Sequence, residues 1–383
     1  MYRLNDEQQQ LVNQVAKLAD QAIAPRAAHV DRERAFPTES IAALGKAGLL
    51  GLTIPTTAGG KGHGLRTTAA VLDDVAQRCA STAMVYLMHI CGVACYAAVP
   101  DRTGALLQAV ARGEHLSTLA FSERGSRSHF WAPVSRAVVK NGTAMLSAQK
   151  SFVTSAGQAD GYVVSTLAPD ARTPIESTIY LVLRGDRGIA TSGGWEGLGM
   201  RGNGSAPMTL DDVEVTADRA LTASGKGLDM MLGVVLPVFQ VGSAAIGVGI
   251  AEAAVRATAK HLTSVTLEHM HSGLHELPTL RAQLARMRIA TDRARAHLAA
   301  VLDSLESPGP ATQLMVLEAK AAATEAAVEV TELAMRTCGG AAFSGAHGLD
   351  RLFRDARAPI VMAPTSDQAY DFIGRALCGM EVF

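Results

Sequence analysis

The stretch 116–155 decides the fold. It reads L-S-T-L-A-F-S-E-R-G-S-R-S-H-F-W-A-P over 116–133 and L-S-A-Q-K-S-F-V-T-S over 146–155. A β-prone run at 116–121 enters a turn dense in Ser, Gly and Arg. Ser122, Ser126 and Ser128 offer hydroxyls there, and Gly125 offers backbone freedom. Asn141-Gly142, between the two halves, is the strongest hairpin signal in the chain. After it, Phe152-Val153-Thr154 sets an aromatic ring two residues from a hydroxyl, and in a regularly alternating strand those side chains share one face. A planar, polar-edged, phosphorylated ligand needs such parts: a wall, a hydroxyl at its edge, and amides near its phosphates. A β-hairpin with a polar turn accounts for the same residues without any ligand, and these residues alone do not choose.

Outward from this stretch, a period of two persists to about residue 221, with strands expected at 134–140, 144–147, 162–167, 177–183 and 208–215. Both flanks are helical. Leu11, Val15, Leu18 and Ala22 recur at helical spacing behind the acidic start Asn5-Asp6-Glu7, a short helix is expected to end at Gly48, and two further helices run to about residue 113. Beyond the strands, four long helices are expected at 227–261, 277–305, 311–336 and 366–378, joined by short loops as in an up-down bundle. The expected architecture is α+β. A helical domain (1–115) comes first, then an antiparallel β-domain (116–222), then a carboxy-terminal four-helix bundle (223–383).

The chain has 383 residues, 48% of them hydrophobic, enough for a large core, and a net charge of −1 with both signs interspersed. That balance points to neither nucleic acid nor an anionic membrane surface. The five cysteines show no framework spacing and no His/Cys partner set for zinc, so no metal site is expected. No signal peptide and no uncharged run of about 20 residues is read as spanning a bilayer. A soluble, cytoplasmic protein is expected.

The ordered set of motifs resembles the acyl-CoA dehydrogenase family nearly end to end. Lys150, Phe152, Val153, Thr154 and Ser155 match that family's second flavin-binding strand, Lys-x-Trp/Phe-Ile/Val-Thr-Asn/Ser. Ser122 and Glu123 match the first, Thr-Glu-Pro followed by Gly-Ser-Asp, but Arg124, Arg127 and His129 replace its proline, glycine and aspartate. Ile23-Ala24-Pro25-Arg26, Gly51-Leu52-Thr53-Ile54-Pro55, Leu198-Gly199-Met200-Arg201 and Arg354-Asp355-Ala356 fall in the family's order. Cys338-Gly339-Gly340-Ala341-Ala342-Phe343 looks like its glycine turn, where a neighbouring subunit meets the flavin pyrophosphate. The resemblance implies FAD, contacted by Phe121, Ser122, Ser128, Phe152, Val153, Thr154, Gly339, Gly340 and Thr365. It also implies an acyl-CoA or acyl-carrier thioester as substrate, and a homotetramer or a hetero-oligomer with a sister subunit.

The chain departs from the family where the chemistry resides. The family's base is a glutamate a few residues beyond Arg-Asp-Ala, and here Ala363 takes its place. The alternative site on the first bundle helix holds Phe239. The arginine that usually helps neutralise the FAD pyrophosphate is missing, since no arginine lies between Arg256 and Arg281. Losing one such contact costs about 1–3 kcal/mol, and Arg124 or Arg127 is placed to restore it. His89 is a candidate to reach substrate, although a helix histidine is more often packed. The substrate pocket is expected near residues 86–94, Phe239 and Met362. Three readings remain: a flavin-dependent acyl-thioester oxidoreductase with its base relocated, a flavin monooxygenase of the same fold, and a non-catalytic subunit of a hetero-oligomeric dehydrogenase.

Overall fold

A computed structural model describes residues 2–127, 129–345 and 347–382. The chain opens with α1 (Asp6–Leu18). Asn5 caps it by accepting the Gln8 N–H, while the Gln8 side chain reaches back to the Asn5 N–H. After α2 (Ala27–Arg32) comes α3 (Thr38–Lys46), and the chain then turns at Gly48 with φ +69°. Three helices follow rather than the expected two: α4 (Leu65–Ala76), α5 (Ala80–Ala97) and α6 (Pro100–Ala111). Pro100 separates the last two because its ring fits the first turn of a helix but not the interior of one.

The middle of the chain holds β1 (Ser117–Ala120), β2 (Val138–Lys140), β3 (Thr143–Val153), β4 (Gly161–Leu167), β5 (Ser177–Leu183), β6 (Ile189–Thr191) and β7 (Ala206–Val215). They form two sheets, ordered β1-β4-β5 and β2-β3-β7-β6, and a separate core including Leu146, Val153, Tyr162, Val182 and Met208. The sheets are not wholly antiparallel. β1 and β4 run parallel, Ser117 opposite Gly161, a pairing across a separation that local periodicity does not report.

The third region starts with α7 (Gly227–Met230) and a π-helical turn at 231–235, then α8 (Leu236–Ser264). A small hairpin of β8 (Thr266–Leu267) and β9 (Ser272–Gly273) leads to α9 (Pro278–Glu306) and α10 (Thr312–Cys338). Three short helices that the pattern did not predict, α11 (Gly340–Phe343), α12 (Leu349–Asp355) and α13 (Arg357–Val361), precede α14 (Ser366–Leu377). α8 is the central element and packs against α4, α5, α9 and α10. A Cβ at Gly249 would lie 2.4 Å from the Asp73 carbonyl oxygen, so α4 and α8 meet backbone to side-chain-free backbone.

The premise that no segment is long and apolar enough to span a bilayer needs correction. Ala80–Ala97 and Gly227–Ser264 are long and apolar enough to cross a bilayer. Each packs inside the protein instead, with 83% and 78% of its apolar window buried. Their uniform apolarity reflects burial on all sides.

The three regions lock together at one place. Arg354 of α12 forms a two-pronged ion pair with Asp31 of α2, at 2.8 and 2.6 Å. Its neighbour Asp355 is buried and accepts the Met200 N–H at 2.6 Å, from the loop before β7. A Cβ at Gly199 would lie 2.1 Å from the Arg354 carbonyl oxygen, so that loop lies flat on the end of α12.

Candidate functional site

The site is built around a buried ion pair. Leaving β1, the chain lays Ser122 and Arg124 against β3: the Ser151 N–H donates to the Ser122 carbonyl and the Arg124 N–H to that of Gln149. Between them Glu123 turns inward. Its carboxylate accepts the backbone N–H groups of Val134 and Ser135 at 2.8 and 2.7 Å, the Ser135 hydroxyl at 2.5 Å, and Lys150 Nζ at 2.5 Å. Lys150 also donates to the Ser165 carbonyl at 2.5 Å. Burial pushes the Glu123 carboxyl up, but the Lys150 charge and these donors outweigh it and hold the group below its usual range. The pair therefore ties Glu123, Val134 and Ser135 onto β3 and β4. It also explains why β2 begins only at Val138: the amides at 134 and 135 serve Glu123, not a ladder.

Phe152 stands at the edge this clamp creates. The expectation that Phe152 and Thr154 share one face by simple alternation fails, because the β3–β7 register shifts between Lys150 and Val153 and Phe152 has φ +55°. A phenylalanine at positive φ is a strained position. Its ring is 68% exposed and meets Trp195 edge-on, with centroids 6.3 Å apart. Val153 turns into the β-core. Thr154 is buried, its hydroxyl 2.9 Å from that of Ser205 and its carbonyl accepting from the Thr118 hydroxyl at 2.8 Å. Of two hydroxyls sharing one hydrogen bond, one still has a proton to donate. Phe121 is buried, and its carbonyl accepts from Ser165. Ser128 lies outside the described residues.

The carboxy-terminal candidates fall into two groups. Gly339 ends α10 with φ +56° and Gly340 begins α11, and a Cβ at either would meet nothing within 4 Å among the described residues. Phe343 at the end of that turn is 84% exposed. The other group surrounds Ala363. Thr365 caps α14: its hydroxyl accepts the Gln368 N–H at 3.2 Å while Gln368 Oε1 accepts the Thr365 N–H at 3.3 Å. Asp367 lies in the first turn of that helix, suited to its positive end. No carboxylate stands at 363 or 239, and Phe239 is half-buried on α8.

Sequence reasoning missed two residues here. Gln240, beside Phe239, is fully buried with neither amide atom bonded among the described residues, and the sole advance signal was one amide in an apolar run. Lys320 of α10 is likewise buried, and its Nζ donates to the carbonyls of Met362 and Pro364, either side of Ala363. A lysine in an alanine-rich helix reads as solvent-facing until the fold is known.

His89 follows the packed reading and does not reach the site. It is wholly buried, with Nδ1 accepting the Ser117 N–H at 3.0 Å and Nε2 3.0 Å from the Leu50 carbonyl. Those partners fix a neutral ring with its proton on Nε2, and burial lowers its pKa to about 4. Both nitrogens serve the backbone, so His89 joins α5 to β1 and the 49–52 segment. The expected substrate wall at 86–94 is also mostly core: Tyr86, Leu87, Ile90 and Cys91 are buried, and the Tyr86 hydroxyl donates to the Leu49 carbonyl at 2.6 Å.

These residues fit a flavin. Phe152 provides an exposed aromatic wall, the Thr154–Ser205 pair an unspent hydroxyl proton, and the Gly339-Gly340 turn open backbone that can approach a diphosphate. Comparison with known proteins agrees along the whole chain. Residues 5–114, 118–213 and 225–378 match the acyl-CoA dehydrogenase N-terminal, middle and C-terminal domain models. The cyclohex-1-ene-1-carbonyl-CoA dehydrogenase of Syntrophus aciditrophicus is 28% identical over 98% of this chain and 91% of its own length. The protein of the same name from Geobacter metallireducens is 27% identical over 98% and 99%. The butyryl-CoA dehydrogenase structure from Megasphaera elsdenii, 21% identical, superposes with a TM-score of 0.93 over 98% of this chain and 99% of that one, which bears on the fold. The chain belongs to the acyl-CoA dehydrogenase family, as a flavin oxidoreductase whose cofactor is FAD.

Proposed function

We propose that the chain oxidises an acyl thioester at its α and β carbons. The observation that carries this reading is Phe152, a strained and exposed ring held at the strand edge by the buried Glu123–Lys150 pair. Phe152, Val153 and Thr154 would hold the isoalloxazine, and Phe121 and Ser122 its polar edge. The Gly339-Gly340 turn approaches the pyrophosphate from a second copy of the chain, and Thr365 closes the site beside Ala363. When bound there, FAD would supply the two-electron acceptor for the substrate's β-hydride. The Ala363 amide is the donor aimed at the thioester carbonyl, where it stabilises negative charge as the α-proton leaves. That proton has no carboxylate waiting at 363 or 239, so turnover is slow or relies on a base from elsewhere. A positioned base is worth about 10²–10⁴-fold.

The same vacancy at 363 and 239 favours a second reading, in which the chain is a monooxygenase of this fold or a partner subunit that completes a neighbour's site. Anaerobic turnover of acyl-CoAs with an artificial electron acceptor supports the oxidoreductase. Oxygen consumption that requires a flavin reductase points to the monooxygenase, and activity seen only on co-expression with a sister chain points to the subunit role. Association through the carboxy-terminal elements, as a tetramer, belongs to this proposal. The exposed Phe343, Val361 and Leu377 support it. Sedimentation at micromolar concentration as a single 40.0 kDa species would contradict it.

A further inference from the structure

We propose that Lys320 is a positioning residue for this reaction, its two N–H bonds setting the backbone on either side of Ala363 and so the direction of the Ala363 amide. The inference rests on the functional reading above. Lys320 lies on α10, while the loop it holds joins α13 to α14, more than forty residues later in the chain. Its Nζ reaches the Pro364 carbonyl at 2.7 Å and the Met362 carbonyl at 3.0 Å. Among the described residues it forms no ion pair with a carboxylate, although it is fully buried.

That arrangement matches a neutral amine, which has two N–H donors for two carbonyl acceptors. Burial lowers the Lys320 pKa to about 7, with the Glu325 charge acting weakly the other way. A hydrocarbon side chain would fill the same space without the cost of burying an amine, so packing alone gives no reason for lysine here. The bonds give one. Residues 362–364 have no strand or helix ladder to hold them, since α13 ends at Val361 and the cap of α14 begins at Thr365. Lys320 fastens the loop at the Met362–Ala363 peptide, which carries the Ala363 N–H, and at the Pro364–Thr365 peptide. Thr365 and Gln368 fasten its far end through the capping box.

The test compares FAD-loaded wild type, Lys320→Met and Thr324→Val by amide hydrogen exchange without substrate. Thr324→Val removes a buried bond on the same helix, from the Thr324 hydroxyl to the Lys320 carbonyl, and leaves the loop untouched. The expected result is exchange at least tenfold faster across 361–366 in Lys320→Met, with α8 unchanged and Thr324→Val like wild type at the loop. Equal loop exchange in Lys320→Met and wild type overturns the proposal. So does a uniform rise across α8 and the loop, because that marks a general packing residue. A second arm places Lys320→Met in an Ala363→Glu background and follows flavin reduction by a panel of acyl-CoAs. A positioning role lowers kcat at least tenfold and leaves KM within about threefold, whereas loss of ground-state binding alone raises KM. A kcat within about threefold of the Ala363→Glu parent overturns it, whatever KM does. If no acyl-CoA reduces the flavin in either background, the functional reading fails, and the exchange arm still judges the clamp by itself.

Discussion

Phe152 concentrates the cofactor question in one side chain. Its ring is exposed, so removing it leaves the fold untouched and tests binding alone. Phe152→Ala should weaken FAD by about 0.5–1.5 kcal/mol, roughly two- to tenfold, with an unchanged melting temperature for the apoprotein. Equilibrium dialysis against FAD measures it, and an unchanged affinity would remove Phe152 from the site. The motif that pointed to Phe152 was legible in the sequence, but the geometry was not. Alternation placed Phe152 and Thr154 side by side, whereas a register shift and a left-handed backbone expose one and bury the other. His89 was read as more often packed, but its partners were not legible, because they are backbone groups distant in sequence, at Leu50 and Ser117, which no motif reports.

At the scale of elements, the Glu123–Lys150 pair makes a strand edge out of a loop. Both side chains are out of water, so deleting one partner leaves the other charged and unpaired. Lys150→Met should cost about 3–5 kcal/mol of unfolding free energy. Adding Glu123→Gln removes the stranded charge and keeps an acceptor for the Val134 and Ser135 amides, so the double variant should recover a substantial part of the loss. Urea denaturation of the four forms of this cycle measures the coupling, and strict additivity would contradict the account. The helices α1 and α3 were readable because periodic apolar residues and terminal caps are local features, as at Asn5 and Gly48. The parallel β1–β4 pairing was not, and neither were α11 to α13, which are too short for a period to register.

For the whole molecule, the lock between Asp31, Met200 and Arg354-Asp355 joins all three regions, and it carries a pH signature. Burial raises the Asp355 pKa to about 6. A carboxyl whose folded pKa lies above its unfolded value binds more protons folded than unfolded. Stability from this group is therefore fully present below the unfolded value, near 4, and falls as pH rises to about 6, by roughly 3 kcal/mol at about 1.4 per unit. Asp355→Asn should abolish that slope, so the difference in melting temperature between variant and wild type should grow from pH 4 to 6 and then level. A constant difference across the window would show that Asp355 stays ionised. The architecture around this lock was legible from the order of motifs, because each sits where a recognisable element begins or ends. The chemistry was legible only as a vacancy, Ala363 and Phe239 in place of acids. Filling that vacancy is the most direct test of the central claim. FAD-loaded Ala363→Glu is mixed anaerobically with acyl-CoAs of graded chain length, and flavin absorbance is followed beside wild type. An acyl-thioester oxidoreductase short of a base should show flavin reduction at least an order of magnitude faster in the variant for some chain length. A variant that binds both FAD and acyl-CoA, yet whose flavin no acyl-CoA reduces, would contradict the account.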